Sequence, residues 1–104
     1  MKKATKLMEL KAQKIVLTNM IEKLEKEYDV VTEEIYDKRR QTNDLMSIES
    51  YDDEKYELLE KSKYKLRGKR HGLNWAMFEI EEQISTINQE IIDITRQIAM
   101  DENF

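Results

Sequence analysis

The stretch LNWAMFEIEEQISTINQEIIDITRQI, Leu73 to Ile98, decides the fold. Its residues Leu73, Met77, Ile80, Ile84, Ile87, Ile91, Ile94 and Ile98 follow one another at alternating intervals of four and three. A half-buried strand would alternate every second residue. A mean spacing of 3.5 instead keeps one stripe of a helix facing a partner helix, which is a coiled-coil seam. Read toward the N-terminus, the phase continues through Arg70, Leu66, Lys63, Leu59 and Tyr56.

A second track occupies the first half of the chain: Leu7, Leu10, Lys14, Leu17, Ile21, Leu24, Tyr28, Val31, Ile35, Lys38, Thr42 and Leu45. Between the tracks lies SIESYDD, Ser47 to Asp53. Ser50 followed by Asp53 is a helix-start signal, and Asp52, Asp53 and Glu54 suit a first turn, where the helix dipole favours negative charge. The spacing predicts a first helix from about residue 3 to 46, a turn over about 47–50 and a second helix from about 51 to 102. Folded at that turn, seam residues pair when their numbers add to 101. Leu10 faces Ile91, Leu17 faces Ile84, Ile21 faces Ile80, Leu24 faces Met77, Tyr28 faces Leu73 and Ile35 faces Leu66. The centre of this mirror falls at Ser50 and Tyr51, inside the turn assigned on other grounds. The expectation is an all-α, antiparallel two-helix coiled-coil hairpin forming a single domain over residues 1–104. Its core is Leu10, Leu17, Ile21, Leu24, Tyr28, Leu73, Met77, Ile80, Ile84, Ile87 and Ile91.

Composition agrees. The 104 residues include no Pro, no Cys and two Gly, and 38% are charged. Long helices tolerate that mixture, whereas a β-sandwich or barrel needs many Gly and Pro turns. Gly68 and Gly72 each cost about 1 kcal/mol inside a helix. A kink or break in the second helix would fall there, although Leu59, Leu66, Leu73 and Ile80 keep their phase across both. Nearer the turn the seam accepts Lys38, Thr42, Lys63 and Arg70. Lys38 would face Lys63, so either the two charges snorkel outward or that end is loosely paired.

Around the seam, many flanking positions are uncharged, among them Gln13, Thr18, Met20, Thr32, Asn74, Ala76, Gln83, Asn88, Thr95 and Gln97. Beyond them lie Met8, Ile15, Val16, Val30, Phe78 and Ile92. This stripe is wider than one partner helix covers, so the expectation is a homodimer of hairpins forming a four-helix bundle.

Catalytic chemistry finds no support. The only His, His71, lies in a basic run, and Glu33/Glu34 and Glu81/Glu82 are adjacent on a helix and point apart. Without Cys, Glu-x-x-His pairs or a phosphate loop, no enzyme, metal or cofactor is expected. No apolar run approaches the ~18 residues of a membrane span, and Glu9, Lys11 and Lys14 interrupt any signal-peptide core, so a cytoplasmic protein is expected.

Charge is uneven beneath a net −4. Residues 61–72 (KSKYKLRGKRHG) hold six Lys or Arg and no acid, whereas residues 73–104 hold one basic residue against seven acids. The basic segment lies across the hairpin from Lys38, Arg39 and Arg40, with Tyr36, Tyr56 and Tyr64 interleaved. Trp75 and Phe78 stand outside the seam. Trp and Arg dominate binding hot spots, so the candidate partner-binding residues are Arg39, Arg40, Lys63, Arg67, Arg70, His71, Trp75 and Phe78. Three function classes fit: a protein-binding module that occupies a partner's surface, a nucleic-acid-binding accessory protein using the basic patch, and a structural coiled-coil adaptor.

The richness in Lys, Ile, Glu, Asn and Tyr, with this length and helical character, resembles the small all-helical early proteins made by phages of low-GC Gram-positive bacteria. Among these are staphylococcal phage inhibitors of the host replicative helicase loader, an ATPase of the AAA+ class. The resemblance implies a non-enzymatic inhibitor of DNA replication that binds one host protein. It carries no motif, so it transfers no site residue.

Overall fold

The computed structural model describes residues 2–48 and 51–102. Two helices, α1 (Lys2–Met46) and α2 (Asp53–Glu102), pack against each other as a helical hairpin, and the described residues contain no strand. Both run close to the expected bounds, with α2 starting two residues later than the sequence suggests. Asp52 is the cap. Its Oδ1 accepts the backbone N–H of Glu54 at 2.9 Å and of Lys55 at 3.4 Å, while its carbonyl accepts Tyr56 N–H at 3.0 Å. The Tyr51 and Tyr56 rings meet at 5.8 Å across this cap. They flank it as a hydrophobic staple does and fix the angle at which the chain enters α2. Asp52 thus takes the place expected of Ser50, which lies outside the described residues. At the other side of the turn, the Ser47 hydroxyl donates to the Asp44 carbonyl at 2.7 Å, and Ile48 N–H donates to Leu45 O at 3.2 Å. These bonds occupy carbonyls that the end of α1 leaves without helical partners.

Helix α2 passes through Gly68 and Gly72 without a break, and neither glycine has a positive φ. The seam explains why. Every member of the second track from Tyr56 to Ile98 is buried or half-buried, so packing on both sides of the glycines holds the helix across them.

The chain divides into two compact units. The open-end unit comprises Met1–Lys23 and Met77–Phe104, and the turn-end unit Leu24–Ala76. In the open-end unit Leu10 and Ile80 are buried, while Leu17, Ile21, Met77, Ile84, Ile87 and Ile91 are half-buried. Lys14, the one charged member of the track here, is exposed. The Lys3 ammonium meets the Asp101 carboxylate at 2.6 Å. Asp101 stands one helical turn from Ile98, the residue that the mirror pairs with Lys3.

In the turn-end unit Val31, Ile35 and Thr42 are buried, and Leu24, Tyr28 and Leu73 are half-buried. Arg70 lies over the Tyr28 ring, 6.0 Å from its centre, again one turn from the direct partner Leu73. Each unit therefore shows the expected antiparallel register. The polar seam is not loosely paired. The Thr42 hydroxyl donates to the Lys38 carbonyl at 2.8 Å, which satisfies it where it is buried. Lys63 is bound by Glu60 at 2.8 Å, and its side chain is only 12% exposed. Thr42 and Lys63 find partners on their own helices and Arg70 finds the Tyr28 ring across the seam.

Candidate interaction surface

A heptad notation locates the surface residues. With Leu7 and Tyr56 both called a, the seam consists of a and d, with e on one side and g on the other. Positions b and f lie beyond e, and c lies beyond g. Two antiparallel helices bring e beside e and g beside g. A groove of about 460 Å³ in the turn-end unit follows this rule, being lined by Gln41, Ile48, Lys55 and Ser62, all g, together with d and c neighbours from both helices.

On the e side of the same unit the rule gathers Tyr36, Arg39 and Arg40 from α1 with Tyr64, Arg67, His71 and Trp75 from α2. All seven are exposed. Tyr64 is 68% exposed and Trp75 56%, values that leave most of each ring accessible to a partner. Arg39 covers the Tyr36 ring at 5.6 Å, and Arg40 is paired with Asp37 one turn earlier. Among the described residues, Lys61, Lys65, Arg67 and Lys69 have no carboxylate within ion-pair distance.

Trp75 has a defined orientation. Its indole N–H donates to Nε2 of His71 at 2.8 Å, and the two rings meet edge to face at 6.1 Å. His71 and Trp75 are four residues apart on one helix face, so the pair costs the backbone nothing. The i, i+4 spacing was visible in the sequence. That the imidazole would hold the indole required side-chain geometry.

The candidate residues therefore separate. Arg39, Arg40, Arg67, His71 and Trp75 share the e-side face of the turn-end unit. Lys63 and Arg70 are a residues held against the seam by Glu60 and Tyr28. Phe78, half exposed, belongs to the open-end unit. Glu60, which neutralises Lys63, was not singled out from sequence, although its i, i+3 spacing to Lys63 was a usable signal. No group of three or more His, Asp or Glu among the described residues could hold a metal ion. No described helix is long and apolar enough to cross a membrane. Compared with known protein families, curated proteins and solved structures, the chain matches none.

Proposed function

We propose that this chain is a non-enzymatic protein-binding module that acts by occupying a partner's surface through the e-side face of its turn-end unit. The observation that carries the reading is Trp75, more than half exposed and held by His71, on the same side of the helix pair as Arg39, Arg40 and Arg67. An aromatic whose orientation is fixed before binding loses less entropy on docking, and Trp with Arg makes the strongest anchors. The arginines and lysines nearer the turn on this face favour an acidic partner surface. By the resemblance to phage early proteins, the partner proposed is a host replicative helicase loader of the AAA+ class, bound so that loading of the helicase is blocked in the cytoplasm.

Calorimetric titration of a purified staphylococcal helicase loader with the chain tests this. The expected result is a micromolar or tighter complex that Trp75→Ala weakens by about tenfold or more. Absence of binding overturns the loader as partner. Equal binding by Trp75→Ala overturns the anchor.

Nucleic-acid binding is the second reading, favoured by the exposed Tyr36 and Tyr64 beside cations without carboxylate partners. Bases stack on exposed aromatics, and phosphates pair with Lys and Arg. A mobility shift with single- and double-stranded DNA at ~150 mM salt decides it, because binding through this patch must weaken steeply as salt rises. No shift at micromolar protein removes this reading.

A further inference from the structure

In the open-end unit, α1 is apolar on the face turned away from α2 as well as on the seam. Met8, Ala12 and Ile15 recur at i, i+4 and i+7 on b and f positions, with Met8 72% and Ile15 62% exposed. A helix with apolar stripes on opposite sides is suited to lie between two neighbours, and α2 supplies only one of them. Helix α2 adds Ile92, a b residue on the same e side and nearly level with Met8 in the register. A groove of about 540 Å³ here is lined by Ile15, Thr18, Asn19 and Ile91, with Lys11 and Lys14 at its border.

This side is nearly free of charge in a chain of which 38% is charged. Over residues 4–19 and 85–99, the e, b and f positions hold only Lys11 and Arg96. Its threonines are prepared for burial. Thr18 donates its hydroxyl to the Lys14 carbonyl at 2.8 Å and Thr95 to the Ile91 carbonyl at 2.6 Å. The same bond lets Thr42 lie buried in the turn-end seam. A hydroxyl satisfied within its own helix can be covered at little cost.

We infer that this face packs on the same face of a second copy about a two-fold axis, so that two hairpins form a four-helix bundle at their open ends. A two-fold axis sets each patch against itself, and any excess of one charge there would meet its like. A face whose charge is confined to Lys11 and Arg96, with long side chains that can turn outward, is better suited to that arrangement than the basic face of the turn-end unit, which is suited to an unlike partner. The area agrees. The chain exposes 8302 Å², about a third more than the roughly 6,200 Å² of a compact monomer of its mass. That excess is larger than the ~800 Å² per partner of a standard specific interface.

Light scattering at about 50 µM chain tests the inference without any partner protein, so its outcome is separate from loader binding. The expected mass is twice 12.6 kDa. Ile15→Glu with Ile92→Glu should return the mass of one chain with helical circular dichroism retained, while Val30→Glu in the turn-end unit leaves the dimer intact. Should the double variant lose its helices, single cysteines decide, since the chain has none of its own. Under mild oxidation Ala12→Cys on the face should crosslink about tenfold faster than Gln13→Cys on the opposite side. A single-chain mass for the wild type overturns the inference and leaves the face to a different protein. Equal crosslinking rates, or a dimer that survives both glutamates, overturn it as well.

Discussion

Thr32 carries a hydroxyl shielded from solvent and without a hydrogen-bond partner. Thr42 is more deeply buried but bonds the Lys38 carbonyl. One residue type, on one helix, is therefore satisfied at one site and orphaned at another. An unpaired buried hydroxyl costs about 1–3 kcal/mol, and valine keeps the shape without the polar atom. Thr32→Val is expected to stabilise the chain by roughly 1 kcal/mol, measured by urea unfolding. An unchanged or lower midpoint would show that solvent reaches the hydroxyl. At this scale the sequence showed that Thr32 flanks the seam; the rotamer that orphans its oxygen was not legible, because threonine can bond back to its own helix or not with the same neighbours in sequence.

At the scale of the helix, each end and each glycine makes a separate contribution. Asp52 caps α2 through Glu54 and Lys55, so Asp52→Ala is expected to cost about 1 kcal/mol, within the 0.5–2 kcal/mol usual for caps. The loss should appear as a lower thermal midpoint with helix content otherwise retained. Gly68 and Gly72 present the opposite case. A methyl group built on either would meet no atom within 4 Å, and both have ordinary helical φ. Glycine therefore serves no packing need within the chain itself. Gly68→Ala and Gly72→Ala are each expected to stabilise α2 by about 0.5–1 kcal/mol, and together to raise the thermal midpoint by an amount close to the sum. If these variants are stable but bind the partner less well, the bare backbone at these positions belongs to the interaction face. Seven-residue phasing made the existence of both helices legible. The cap falls two residues later than the Ser50–Asp53 spacing predicts, and the bonds from Glu54 and Lys55 N–H to the Asp52 carboxylate identify it.

For the whole molecule, the balance between burial and exposure governs behaviour. Among the described residues, the buried apolar side chains are Leu10, Val31, Ile35 and Ile80, a small core for 104 residues to fold around. Domains of this size usually draw their few kcal/mol of net stability from a larger core, disulfides or association. The chain has no cysteine, and the dimer proposed above would supply such stabilisation. Its thermal midpoint is therefore expected to rise with protein concentration, by several degrees over a hundredfold range, because association stabilises by mass action. A midpoint independent of concentration would mean that the hairpin is stable alone.

The helices, their antiparallel register and the seam were legible from the sequence. Those follow from periodicity and chain connectivity, which are properties of residue order. The packed structure settles how Lys63 turns to Glu60, how Arg70 lies over Tyr28 and how His71 holds Trp75. These depend on which of several rotamers a long side chain adopts once neighbours at one turn's distance compete for it. It also showed that the wide apolar stripe seen in the sequence is exposed, with Met8, Ile15 and Ile92 left uncovered, because two helices packed against each other can bury only one side of each.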